Sequence, residues 1–376
     1  MRVHEEWHLD LPTSHRIPLT WLLQHGGPSV RFRTLAELAP AGSVDRATLT
    51  ETLTAAVLSA PVSAVTTRQQ ENGMWGTNFL GYGPSPRDKI EEAGTVAQYR
   101  RLIQLGLPRT TRPFRLAERL MFRTLSRDTD LLLYGEFADA AEEEPRHAEW
   151  YRYQVREGVS AALAEAGHQD DPRLRGSAHK VATAVSAFLR SPQADDALIK
   201  RSGGWQLPAD VTPPSWWSLA LFAAMPALQR ERAGFMDRLG QYLAQPCERR
   251  SFMIGIGSRT WKPVHLVLGD PIDLDSKGQP KDLPLALHFI ELLANMGQIA
   301  AVESAHTLFL QLLGDLDADG VWHPKNLRSQ PKALSPVTYH CWPLSEDDNS
   351  LESRQADITF RLALIAKQLG WSLEYS

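Results

Sequence analysis

Apolar residues recur three and four positions apart along most of the chain, the spacing that gathers them on one face of an α-helix. The pattern predicts helices over 49–62, 93–107, 113–125, 151–167, 179–191, 215–228, 234–245, 283–297, 302–314 and 354–370. Segments that alternate with period two are scarce, so the expected class is all-α, with about ten to twelve helices. Several of these helices run into glycine, at Gly106, Gly167, Gly297, Gly314 and Gly370. A left-handed residue at that place closes a last helical turn.

The breaks between helices carry a second pattern. Glycine, any residue, then a large aromatic occurs at Gly73-Met74-Trp75, Gly135-Glu136-Phe137, Gly203-Gly204-Trp205 and Gly320-Val321-Trp322, with a weaker echo, GIGSRTW, ending at Trp261. Successive aromatics stand 62, 68, 56 and 61 residues apart. One helix pair plus a loop fills such a period, and the chain holds about six of them. Units of this kind cannot bury their apolar faces alone and stack on their neighbours. The regular corners favour a closed ring of helix-turn-helix pairs, an α/α toroid forming a single domain over residues 1–376. In such a ring SWWSLALFAAM reads as an inner helix and GFMDRLGQYLAQ as an amphipathic outer one. The segment GGPSVRFRTLAEL also reads as a HEAT-type helix, which leaves an open superhelix as the alternative.

The corner Gln70-Glu71-Asn72-Gly73-Met74-Trp75 resembles the QW repeat of squalene-hopene cyclases and protein prenyltransferase β-subunits, which share an α/α toroid. DADGVW (317–322) is similar with aspartate in place of glutamine, whereas RSGGW (201–205) lacks the glutamine. The segments WLLQHGGPSVRFRTLAEL and EAGHQDDPRLRGSA resemble a bacterial branch of such toroids, and the likeness covers nearly the whole chain. It implies a central cavity that binds, and transforms, an apolar or isoprenoid-like ligand. Aromatic walls there would also stabilise a cationic intermediate. The family's catalytic motifs do not carry over. SEDDN (345–349) has Ser345 where D-x-D-D begins, and Asp170-Asp171, Asp195-Asp196 and Asp347-Asp348 lack the third carboxylate of D-D-x-x-D.

Composition narrows the partners. The 376 residues are 43% hydrophobic and 22% charged with a net charge of -4, so no basic stripe for nucleic acid or for an anionic membrane is expected. No apolar run reaches the roughly 18–20 residues needed to span a bilayer. The start, MRVHEEWHLDLPTSH, is acidic and rich in histidine where a secretion signal would be basic and then apolar. Two cysteines, Cys247 and Cys341, are too few for a disulfide framework. These features lead to an expectation of a cytoplasmic protein without cofactor or metal.

The segment 322–352, WHPKNLRSQPKALSPVTYHCWPLSEDDNSLE, is long and weakly periodic, which in a compact fold marks a functional loop. It is expected to cover one mouth of the ring and face NGMWGTNFLGYG. It supplies the catalytic candidates Tyr339, His340, Asp347 and Asp348. Trp322, His323 and the corner residues Trp75, Asn78, Phe79 and Tyr82 are the candidate ligand contacts. Paired carboxylates with a histidine and a tyrosine also suit a carbohydrate-active lyase or hydrolase. A non-catalytic scaffold for a partner protein is the third reading.

Two metal motifs are incomplete. Toroids of the resembled class use zinc with Cys, His and carboxylate ligands, and His340-Cys341 would need a third ligand such as Asp319 or His323. A buried structural cysteine is the plainer reading of Cys341. DLDADGVWHPKN (315–326) starts like a calcium loop, with Asn326 where the bidentate glutamate belongs.

Overall fold

The computed structural model describes residues 11–81, 93–126, 136, 145–256 and 259–376. About 53% of the protein is helical. Strand β1 (Ser14–Ile17) leads into α1 (Leu19–His25) and α2 (Pro28–Arg33), which continues as one π-helical turn, Thr34–Leu38. Then follow α3 (Arg46–Val57), α4 (Ala60–Thr66), α5 (Thr95–Gln104), α6 (Arg112–Ser126), α7 (Pro145–Glu165) and α8 (Pro172–Phe188). A hairpin of β2 (Ile199–Arg201) and β3 (Gly204–Pro208) precedes α9 (Trp216–Ala223), α10 (Pro226–Glu231) and α11 (Ala233–Leu243). The chain closes with β4 (Phe252–Ile256), β5 (Arg259–Trp261), α12 (Leu283–Asn295), α13 (Glu303–Gly314), α14 (Leu351–Gln368) and β6 (Ser372–Tyr375).

Each segment with helical spacing forms helix, and the boundaries follow local chemistry. Asp45 and Asp171 accept backbone N–H groups at the starts of α3 and α8, and Ser215 forms a reciprocal capping box with Ser218 at the start of α9. The segment 215–228, read as one helix, divides before Pro226, because proline removes a donor and clashes with the preceding turn. Of the glycines expected to close helices, Gly106, Gly167, Gly297 and Gly370 have positive φ, and Gly314 does not.

The all-α expectation is corrected by two small sheets. One is the parallel pair β1–β6, with Ser14 opposite Ser372. The other has the order β2-β3-β4-β5, parallel between β3 and β4 and antiparallel elsewhere. The glycine-aromatic corners divide accordingly. At Trp205 the pair Ser202-Gly203 turns a hairpin, and Trp261 lies on β5 of the same sheet. Strand formers such as Ile254, Ile256 and Trp205 explain these elements, but each run is too short to show alternation.

Trp75 and Trp322 do occupy equivalent helical corners. Each donates its backbone N–H to a threonine hydroxyl on a buried helix, Trp75 to Thr95 at 3.2 Å and Trp322 to Thr359 at 3.1 Å. Gly73 and Gly320 precede them with φ of 92° and 90°. A Cβ on Gly320 would stand 2.1 Å from the Arg16 carbonyl oxygen, so only glycine fits this close approach.

The buried helices follow one another in space. Helix α7 packs on α5, α6, α8 and α9; α9 packs on α12; α12 packs on α13 and α14; and α14 packs on α1, α2 and β1. Arg33 at the end of α2 donates to the carbonyl of Gln104 at the end of α5, at 3.1 Å. A large apolar core runs through α4 to α14, and a smaller one joins Ile17, Leu22, Val30 and Leu38 to Phe360, Ala363 and Leu364 on another face of α14. Among the described residues no single helix is long and apolar enough to cross a membrane; α3 and α4 together reach that length but are bent by 61°.

Candidate functional site

Helices buried on every side should carry apolar residues throughout, yet α5, α7, α12 and α14 each bring charges inside. Arg100 on α5 makes a two-pronged contact with Glu165 on α7, at 2.7 and 2.8 Å. Arg361 on α14 reaches Glu291 on α12 at 3.0 Å and also donates to the Cys341 carbonyl. Arg33 grips Glu37 at 2.6 and 3.0 Å. Asp357 on α14 accepts from Leu344 N at 2.6 Å and from the Ser345 hydroxyl at 2.9 Å, and burial pushes its carboxyl up.

The 322–352 segment turns into this charged interior. Thr338, His340, Cys341, Trp342, Leu344 and Ser345 are buried, and the Tyr339 hydroxyl donates to Gln98 of α5 at 3.0 Å. His340 and Cys341 thereby meet His288 of α12. The nitrogen and sulfur atoms of these three side chains lie within 4.8 Å of one another, and all three residues are buried. The two imidazoles stand edge to face at 5.0 Å, and Trp216 stacks on His288 at 5.7 Å.

Protonation follows from the surroundings. Burial, then Arg100, hold both histidines well below the usual imidazole range, with Arg361 acting on each and His288 on His340. Nδ1 of His340 lies 2.9 Å from the Val337 carbonyl, which can only accept, so this nitrogen carries the proton and Nε2 keeps its lone pair. Neither His288 Nε2 nor His340 Nε2 has a hydrogen-bond partner. Burial pushes the Cys341 thiol up to about 11.

The other candidates lie elsewhere. Asp347 pairs with Arg354 at 2.9 Å, and Asp348 accepts from Ser350 N at 2.8 Å where α14 begins; hydrogen bonds from Ser353 and Ser350 lower its carboxyl to about 2. His323 is half exposed between Asp317 at 3.2 Å and Gln355 at 2.7 Å. Asp317 accepts from Asp319 N and Val321 N, so it shapes the turn that starts the calcium-like segment. Trp75, Phe79 and Trp322 are buried, with the Trp75 indole bonded to Val65 O at 2.7 Å. The carbonyl of Asn78 accepts from Thr95 N at the start of α5. The Glu136 carboxylate takes the N–H groups of Phe79, Leu80 and Gly81 at 2.7 to 3.1 Å. Tyr82 lies outside the described residues.

A second buried polar group sits on α7. Glu157 accepts from Tyr153 at 3.1 Å and Ser215 at 3.0 Å, and burial pushes its carboxyl up to about 8. Two histidines away from the cluster are also kept neutral by burial, His15 near 4 and His265 near 3. A histidine held below its unfolded value of 6.5 lends stability that is present above that value and lost as pH falls towards the folded one. Urea unfolding between pH 6.5 and 4.5 should therefore show stability falling by about 1.4 kcal/mol per pH unit for each such histidine. The slope should shrink by one such step in His265→Gln, and an unchanged slope would show that burial does not set this titration.

His288, Glu291, Arg100, Glu165 and Arg361 were missed by the sequence reading, because each sits inside a run with helical spacing. The available signal was charge in an apolar setting, as in ITFRLALIA around Arg361 and LALHFIELL around His288 and Glu291. No protein-family model, curated protein or solved structure matches this chain.

Proposed function

We propose that the buried helices close into a ring around a metal centre, with a zinc-class ion held by His288 Nε2, His340 Nε2 and Cys341 Sγ. The observation that carries this reading is the pair of unpartnered imidazole nitrogens beside a buried thiol, with the lone pair of His340 Nε2 free. Buried polar atoms are almost always paired, and two in one place with a thiol form a soft nitrogen-sulfur donor set. The Val337 carbonyl orients His340 as an outer-shell group does for a ligating histidine. Arg361 ties the Cys341 backbone to Glu291, and Arg361, then Arg100, add positive potential that opposes the effect of burial on the thiol. An ion held by these three residues would supply Lewis-acid activation to a bound substrate. Ring closure is supported by the run of neighbours α5, α7, α9, α12, α14 and α2, and by the Arg33–Gln104 link.

Elemental analysis of the purified protein should find about one zinc per chain, as a three-residue nitrogen-sulfur donor set predicts. Cys341→Ser and His288→Ala should each lose most of it. Cobalt substitution should give a sulfur-to-cobalt charge-transfer band in the parent that is absent in Cys341→Ser. Equal metal content in parent and Cys341→Ser would sink the reading.

A second reading, an apolar or isoprenoid-like ligand in the ring, is favoured by Glu157. A carboxyl kept neutral by burial on α7, between Tyr153 and Ser215, suits an apolar guest better than a charged one. Native mass spectrometry separates the two, since a retained organic mass supports this reading and a retained metal mass the first.

A further inference from the structure

Among the described residues four arginines are buried in the interior, and three have a carboxylate. Arg33 has Glu37, Arg100 has Glu165 and Arg361 has Glu291. Arg101 has none. It is 8% exposed, its Nη2 donates to the Pro343 carbonyl, and its Nη1 has no hydrogen-bond partner. Asp357, the carboxylate whose field reaches it, is already engaged by Leu344 N, Ser345 N and the Ser345 hydroxyl. A guanidinium cannot shed its proton at ordinary pH, and an enclosed one without a counter-charge is costly.

We propose that Arg101 Nη1 seats an exogenous oxyanion, the carboxylate or phosphate group of a substrate whose other end reaches the metal cluster. The loop between them supports the placement. Pro343, held by Arg101, lies two residues from Cys341, whose carbonyl is held by Arg361. Tyr339 of the same loop is fixed by Gln98, one helical turn before Arg101 on α5. Arg101 thus lies within electrostatic reach of Cys341, and among the described residues it is the buried arginine without a paired carboxylate. Its place beside the metal rests on the metal reading; the anion seat itself rests on Arg101 alone.

The test is the thermal midpoint of the full chain titrated with sodium phosphate and with sodium acetate, against sodium chloride at matched ionic strength. Zinc-loaded and chelator-treated samples are run in parallel. Saturable stabilisation by phosphate identifies a phosphate group, and by acetate a carboxylate. Arg101→Met should weaken the apparent affinity at least tenfold while zinc content stays unchanged, and Arg101→Lys should weaken it less. No saturable response beyond chloride in the parent chain overturns the proposal, as does an Arg101→Met chain that responds like the parent. If Arg101→Met does not fold, the parent titration and Arg101→Lys decide. An anion response in protein that takes up no zinc upholds the seat and removes its metal neighbour. Zinc uptake with no anion response upholds the metal and overturns the seat.

Discussion

Glu291→Ala should lower the unfolding free energy by about 3–5 kcal/mol, the cost of leaving one member of a buried ion pair without its partner. Glu291 is nearly enclosed, and the guanidinium it holds at 3.0 Å belongs to Arg361, itself 2% exposed. A loss of this size is a large fraction of a typical domain's whole stability. Replacing both partners, as in Glu291→Leu with Arg361→Met, should recover part of the loss, because apolar side chains of similar volume leave no orphaned charge. Full recovery is not expected, since the Cys341 carbonyl would still lose its donor. Urea unfolding of the three variants measures both steps. A Glu291→Ala chain within about 1 kcal/mol of the parent would show that Arg361 finds its counter-charge elsewhere.

The second large effect separates the two kinds of glycine-aromatic corner. Trp75→Ala should cost about 3–5 kcal/mol, from lost burial and from the cavity left behind. Trp75 is fully enclosed, and its indole hydrogen bond to Val65 O is lost with the ring. Trp205→Ala should cost less, about 1 kcal/mol, because that ring is half-buried on a hairpin with the Arg250 guanidinium 4.1 Å above its face. Near-equal losses at the two positions would restore the view that all the corners are copies of one structural unit.

How far the chain could be read in advance follows from the same residues. Helices were legible because their apolar stripes span ten or more positions, enough to fix a period. The hairpin at Trp205 was hidden, since Ile199–Arg201 and Gly204–Pro208 are too short to reveal alternation, and the glycines between them look like any helix break. The site was half visible. His340 and Cys341 stand out as neighbours, but their partner His288 comes from 52 positions earlier in the chain, on an apolar helix face where a histidine is usually a core residue. Only the packing of α12 against the 336–338 turn and α14 brings it into place. The Asp347-Asp348 pair drew attention as acid chemistry, whereas acidic residues at such a position serve the first turn of the following helix.

The β1–β6 pairing has a consequence for synthesis. Strand β1 leaves the ribosome before its partner, which follows some 358 residues later. At 5–20 residues per second that interval is roughly 20–70 s. Throughout it, Ile17, Leu22 and Val30 lack the Phe360, Ala363 and Leu364 surface that covers them in the finished molecule. Helices α1 and α2 therefore spend that interval with an apolar face not yet covered by α14. They are made well before the surface that completes them, and during that interval their exposed apolar face is a place for a chaperone to bind.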